Sequence, residues 1–175
     1  MDFRRILSSG LVTLGLLYSS IFVTGCSFTG GVPQWSGSGF IRKELLEYKD
    51  IAVLPFKGDA KREASDIFAQ TFHDKFEPVA LVGRKQLLKF FKEKDLYPDQ
   101  LSEVIRREIG EVLGVQALIL GNVYYPGLVR WLLQVEIIDV EASEVMGRST
   151  VEVNYLGAEG FKEACRITAQ NLKPK

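Results

Sequence analysis

The chain has 175 residues, with 22 Lys and Arg residues against 22 Asp and Glu residues and a single histidine. Because positive and negative charges balance, the composition argues against nucleic-acid binding and against electrostatic binding to an anionic membrane surface. The length is enough for one ordinary domain with its own hydrophobic core.

The N-terminal 25 residues have the three parts of a secretory signal. Basic Arg4 and Arg5 precede an apolar run, Ile6 to Phe22, and small residues follow at a cleavage point. The sequence Val23-Thr24-Gly25-Cys26 resembles the lipobox of bacterial lipoproteins. That resemblance implies that residues 1–25 are removed, that Cys26 carries the acyl chains, and that a mature chain of 150 residues stays on a membrane.

One alternative remains open for this segment. An uncleaved helix from Ile6 to Phe22 could span the bilayer, although its serines and glycines dilute the apolar run. Ser27 differs from the Asp that retains Gram-negative lipoproteins at the inner membrane, so the resemblance implies an outer-membrane anchor on the periplasmic face.

Residues 26–48 are predicted to be an acylated, flexible tether. Gly, Ser and Pro dominate Ser27 to Gly39, and a weakly helical patch follows from Phe40 to Tyr48. Such a linker would hold the domain within about 20–30 Å of the bilayer. Trp35 lies within it, and this side chain is expected either to anchor the tether at the membrane interface or to dock on the domain.

The domain itself, residues 49–175, begins with elements that alternate between strand and helix. Ile51 to Phe56 is continuously apolar, which is typical of a strand buried on both faces near the centre of a sheet. Periodic apolar residues then predict the following elements in order: a helix from Ala60 to Phe76, a strand from Val79 to Val82, a helix around Leu87, Leu88 and Phe91, and a helix from Asp99 to Gly114. The inner stripe of the last helix is predicted to comprise Leu101, Val104, Ile105, Ile109, Val112 and Leu113.

The second half of the domain reads as an antiparallel meander closed by a helix. The predicted elements are a buried strand from Ala117 to Val123, a turn at Tyr125 to Leu128, an alternating strand with Val129, Trp131, Leu133, Val135 and Ile137 on one face, a strand from Val145 to Tyr155, and a helix from Ala158 to Leu172. The fold class is therefore α/β: a single three-layer or two-layer domain with a mixed parallel and antiparallel sheet of about five strands and four helices.

Few residues in the chain suggest chemistry. His73 lies off the apolar stripe of its helix, and one histidine plus one free cysteine cannot form a usual zinc site. Cys165 falls at helical spacing with Phe161 and Leu172, so it is predicted to be a buried apolar residue. We expect no catalytic residue, metal or cofactor, although a spatial pair of carboxylates for glycoside hydrolysis cannot be judged from sequence.

Trp131 is interpreted as core, or as a membrane or subunit contact at a sheet end.

Three stretches resemble the conserved blocks of a superfamily of periplasmic lipoproteins that includes CsgG, LpoB and PelC, with a fold like the N-terminal domain of TolB. They run from Ile51 to Phe56, from Gly110 to Val123, and from Ile137 to Val145. One departure is Ser143, since members usually place Gly in that turn. In size and layout the chain is most similar to the Pel polysaccharide export lipoproteins, because it has a short tether and no spare membrane-spanning hairpins.

That resemblance implies a non-enzymatic, homo-oligomeric ring under the outer membrane, beside an export porin and the passing polysaccharide. A regulatory lipoprotein that activates a peptidoglycan synthase is the alternative that the same superfamily implies. A carbohydrate-active enzyme is the third, and it would require a cleft with two carboxylates at catalytic separation.

Overall fold

A computed structural model of the chain describes residues 34–175 apart from residues 60, 78, 97–100, 128–129 and 155–157. The elements in chain order are β1 (Gln34–Ile41), a 3-10 helix (Lys43–Glu47), β2 (Asp50–Val53), α1 (Glu63–Lys75), β3 (Ala80–Leu81), α2 (Arg84–Glu93), α3 (Glu103–Leu113), β4 (Ala117–Gly127), β5 (Arg130–Asp139), β6 (Val145–Asn154) and α4 (Ala158–Gln170). The predicted signal peptide, Cys26 and the first part of the tether lie outside the described residues.

The strands form one mixed sheet in the order β1-β6-β5-β4-β2-β3. β2 pairs in parallel with β3 and with β4, whereas the pairs β4–β5, β5–β6 and β1–β6 are antiparallel. The α/β class and the mixed sheet with four α-helices are confirmed, but the strand count is six instead of five. β2 also lies next to the β3 edge, not at the centre of the sheet, because only the two-residue β3 follows it on that side.

Helices cover most of one face of the sheet and a smaller part of the other. α1 and α4 pack together on the first face, where Phe68, Phe72 and Cys165 belong to one buried cluster with Ile119 and Val135. On the second face, α2 and α3 form a separate cluster with β2 and β4. The domain therefore has three layers over β2 and β4, and two layers over β5, β6 and β1.

The prediction of a flexible tether is wrong for residues 34–41, whereas the helical patch predicted from Phe40 to Tyr48 overlaps the 3-10 helix at Lys43–Glu47. Residues Gln34 to Ile41 form β1, which pairs with β6 over its whole length, and the 3-10 helix follows. Gly37 and Gly39 serve here as packing residues, because a Cβ on either would lie 2.9 Å from an atom of Asn171 beyond the end of α4. A Gly-Ser composition that usually indicates a linker thus permits close approach of a helix end.

The inner stripe predicted for α3 is partly wrong. Val104 and Val112 are 76% and 58% exposed, whereas Ile109 is fully buried. The reason is the close approach at Gly110, where a Cβ would lie 2.2 Å from Cγ1 of Val140. The helix therefore packs through the side that carries Ile109 and Gly110, and its two valines turn to solvent.

The two hairpins differ from the sequence interpretation in different ways. β4 continues through most of the predicted turn to Gly127, with a register irregularity after Tyr124, and residues 128–129 lie outside the described residues. In the second hairpin Ser143 adopts a left-handed conformation, with φ of 57°. That conformation explains why Gly is the usual residue at this position in the resembled superfamily.

Replacing Ser143 with Gly is expected to stabilise the protein by about 0.5–1 kcal/mol, because glycine adopts positive φ without steric cost. The change also removes a buried hydroxyl that has no hydrogen-bond partner. Chemical denaturation measures the free energy of unfolding. The reciprocal control is Gly114→Ala, at φ of 70° with open space around the new Cβ, which should lose about 1 kcal/mol; a gain there would contradict the argument.

Candidate interaction surfaces

Four aromatic residues gather at one end of the sheet, where β1 and β5 begin and β4 and β6 end. Trp131 is half-buried, with ring centroids 4.3 Å from Tyr125 and 4.8 Å from Phe161. Tyr124, Tyr125 and Trp35 are 46%, 55% and 54% exposed. We call Trp35, Tyr124, Tyr125 and Trp131 the aromatic end.

The two tryptophans singled out from the sequence share one row of the sheet. Val153 on β6 is the cross-strand partner of Trp35 on β1 and of Trp131 on β5, so all three side chains face the same side. Trp131 packs against the core as expected, but part of it remains accessible. Trp35 docks on the sheet as part of β1 and stays half exposed.

The half of the second face that α2 and α3 leave open is polar. Two cross-strand ion pairs cross it, Arg130 with Glu152 at 3.0 Å and Arg148 with Glu136 at 2.6 Å. Between them lies a shallow depression of about 430 Å³, lined by Leu120, Asn122, Gln134, Glu136, Arg148 and Thr150. Each charge is matched by its neighbour, so this surface has no excess of either sign and offers mainly hydrogen-bonding groups.

A cleft of about 850 Å³ lies at the opposite end of the sheet from the aromatic residues, beside the last turn of α3. The Tyr48 hydroxyl donates a 2.5 Å hydrogen bond to Asp139, whose other oxygen accepts from the Ala142 N–H. Burial, followed by this hydrogen bond, raises the pKa of Tyr48 to about 12. The phenol therefore stays protonated and fastens the 3-10 helix to the β5–β6 turn, which is a structural role.

Neither His73 nor Cys165 is placed as a catalytic residue, whereas Glu111, Asp139 and Glu141 line the cleft beside α3. Among residues 34–175, outside the gaps given above, no three or more His, Cys, Asp or Glu side chains group as metal ligands. His73 is exposed on α1, while Cys165 is fully buried in the core, as the sequence predicts. Burial, with a smaller contribution from the charge of Asp59, raises the pKa of the Cys165 thiol to about 12.

Cys165 is accordingly expected to resist thiol reagents in the folded protein. A pKa raised from 9.0 to about 12 lowers the thiolate fraction at mildly alkaline pH by about 1000-fold. The measurement is the labelling rate at pH 8 of protein lacking residues 1–26, where Cys165 is the one remaining cysteine. The same protein unfolded in guanidinium is the control, and equal rates in both states would contradict the prediction.

The predicted lipidation residue, Cys26, lies outside the described residues. β1 begins at Gln34, eight residues after it, so only a short segment separates the acylation site from the sheet. Within the described part of the chain, no helix is both long and apolar enough to cross a membrane.

Comparison with known proteins identifies the fold through solved structures. No family model and no curated protein matches the sequence. The PelC dodecamer from Paraburkholderia phytofirmans superposes with a TM-score of 0.54 at 14% identity, covering 81% of this chain and 99% of that chain. Lipoprotein GNA1162 from Neisseria meningitidis matches with a TM-score of 0.52 at 10% identity, covering 63% of this chain and 82% of that one. These likenesses confirm the fold that the sequence resemblance implied.

Proposed function

We propose that this chain is a non-enzymatic outer-membrane lipoprotein that acts as an oligomeric, ring-forming accessory of extracellular polysaccharide export. The observation that carries the proposal is the fold shared with a PelC dodecamer over nearly the whole of that chain. The superfamily resemblance of the three sequence blocks implies the same class of protein. Because folds host unrelated functions, the oligomer is the part of the proposal to test first.

The short distance between Cys26 and β1 supports a role close to the membrane. Eight extended residues span at most about 26–29 Å, so an acyl anchor at Cys26 would hold the domain against the periplasmic face of the bilayer. β1 starts at the aromatic end, which is therefore the end nearest the anchor along the chain. Trp131 and Trp35 are proposed to contact lipid or a neighbouring copy there.

The proposed function includes no catalysis because of where the reactive groups lie. Catalysis by the chain's one histidine would need a partner base or nucleophile, but His73 is exposed on a helix and Cys165 is sealed in the core. The ion-paired carboxylates of the open face, Glu136 and Glu152, are each held by an arginine. The proposed role in export depends on the shape of the domain, its position at the membrane and the number of copies in the assembly. None of these requires a reactive side chain.

The test is the mass in solution of protein lacking residues 1–26, measured by light scattering across a concentration series. A ring predicts a discrete assembly of many copies, and a strictly monomeric protein at high concentration would overturn the proposal. Binding of such a monomer to the periplasmic domain of a peptidoglycan synthase would instead favour the regulatory alternative. The two functions therefore predict different results from one preparation.

A further inference from the structure

The outer edge of β1 has backbone groups without a hydrogen-bond partner among the described residues, over a short window. The Ile41 N–H donates to the Lys173 carbonyl and the Ile41 carbonyl accepts from the Lys175 N–H, both at 2.9 Å, on the side away from β6. The Arg42 N–H, one residue on, donates to Met146 of β6. Because backbone groups alternate along a strand, the odd-numbered residues Trp35, Gly37 and Gly39 also direct their N–H and C=O groups outward.

This edge lacks the usual protection against strand addition. Natural edge strands carry charged residues, prolines or bulges that discourage pairing with another chain. β1 has none of these from Gln34 to Ile41, and it pairs with β6 without a register shift. Ser36 and Ser38 are exposed, as are Trp35 and Gly37, so the edge is accessible along the described strand.

We propose that two copies of the chain pair through β1 as antiparallel neighbours, related by a two-fold axis at Gly37. In that register Gly37 faces Gly37 of the second copy, Trp35 faces Gly39 of the second copy, and each such pair exchanges two hydrogen bonds. If the register were shifted by two residues in either direction, one of the three outward-facing residues Trp35, Gly37 and Gly39 would have no partner in the second copy. The next pair in line would be Pro33 with Ile41, but Pro33 has no N–H and the groups of Ile41 are already bonded to the C-terminal residues.

A second copy fits this edge because the strand is complementary to itself. An isologous contact pairs the strand with a second copy of itself, so like charges near its centre would face each other and repel, and the strand has none. The pairing also sets each exposed Trp35 beside a glycine of the other copy on the same face of the sheet. Trp35 is 54% exposed in the single copy, and the contact would bury part of its apolar surface against the second copy, where Asn171 already lies over Gly39.

The pairing is compatible with two lipid anchors in one membrane. The two Gln34 residues would lie about 20 Å apart along the strands, which is six residues at strand spacing. The eight residues that precede each of them span up to about 26–29 Å, so both acylated ends reach the same bilayer. This contact goes beyond the proposed ring: a two-fold contact closes on itself, and a ring of pairs needs a different contact between pairs.

Cysteine cross-linking of the full-length lipoprotein in isolated membranes tests the register directly. In the proposed register Ser36 faces Ser38 of the second copy at a Cα separation of about 4.5 Å, which is within disulfide range. Under mild oxidation S36C/S38C should give at least about tenfold more covalent dimer than S36C alone, whose two cysteines would be diagonal at about 7–8 Å. With Cys26 acylated and Cys165 buried, background thiols should not contribute.

Equal cross-linking of the double and single variants, or none in either, would overturn the pairing. A second pair of variants tests it without disulfides: S36K/S38K places like charges across the two-fold axis and should separate the copies, while mixing it with S36E/S38E should restore pairs that contain one of each. Both serines are exposed, so these changes leave the fold intact. If the pair forms but light scattering shows no larger assembly, the ring fails and the pairing stands; if a ring forms without the cross-link, the pairing fails and the ring stands.

Discussion

Replacing Phe68 with alanine is expected to destabilise the domain by about 3–5 kcal/mol, which is a large share of the stability of an ordinary domain. Phe68 is fully buried in α1, with ring centroids 5.6 Å from Phe56 and 5.9 Å from Phe72. It belongs to the cluster that joins α1 and α4 to the sheet, so its loss leaves a cavity between layers that cannot easily collapse. Chemical denaturation followed by circular dichroism measures the change.

The matched control is Val104→Ala on α3. The sequence pattern places Val104 on the buried stripe, but the structure leaves it 76% exposed, so the substitution should change the free energy of unfolding by no more than about 0.5 kcal/mol. A second control, Phe68→Leu, keeps most of the apolar volume and should cost less than the alanine. A loss at Val104 as large as at Phe68 would mean that α3 packs as the sequence alone suggested.

Replacing Cys26 with serine is expected to move the protein almost completely from the membrane fraction to the soluble periplasm. Each buried methylene of an acyl chain contributes about 0.8 kcal/mol to membrane binding, so two or three chains anchor a protein stably and their loss removes the anchor altogether. Fractionation and immunoblotting measure the distribution. The released domain should keep its fold, because residues 33–175 form a compact unit of their own.

Cys165→Ala is the appropriate control for this change. It removes the other cysteine, which is buried between α4 and the sheet, and it should leave the protein in the membrane fraction with a modest loss of stability. Polysaccharide export should fail with the Cys26 variant and persist with the Cys165 variant. Full export by a soluble Cys26→Ser protein would refute the view that a tethered domain is required.

Sequence periodicity predicts this fold well wherever burial is one-sided and regular. Four residues of α4 and Leu172 just beyond its end were expected to face inward, and all five are buried: Phe161, Ala164, Cys165, Thr168 and Leu172. β5 behaves the same way at Leu133, Val135 and Ile137, because a strand packed on one face alternates strictly. Both elements lie against a single layer, so one period describes their environment.

The failures occur where packing geometry overrides composition. β1 has the composition of a linker, and its strand state depends on β6 and on the end of α4, which are more than 100 residues away in sequence. The alternation of Trp35, Gly37, Gly39 and Ile41 on one face was the available signal. On α3, the close contact between Gly110 and Val140 determines which side of the helix faces the core. The pattern of apolar residues does not reveal this contact, because Gly110 has no side chain.

The candidate surfaces were less accessible to sequence reasoning than the fold. Trp35 and Trp131 could be singled out as residues, but only the strand order brings them into one row through Val153. The open polar face is likewise a product of pairing, since Glu136 and Arg148 become neighbours only when β5 and β6 align. Cys26 is the reverse case, because its proposed role is predicted from a local motif alone and the residue lies outside the described part of the chain.

The position of β1 constrains the order of events during biogenesis. β1 is the first described element of the chain, yet its strand partner is β6 and its far end bonds to Lys173 and Lys175. The edge of the sheet therefore cannot close until nearly the whole chain is available for folding, which also implies slow, non-local folding. Until then β1 has no strand partner, so if Cys26 is acylated as proposed, the modifying enzymes would act before this edge of the sheet closes.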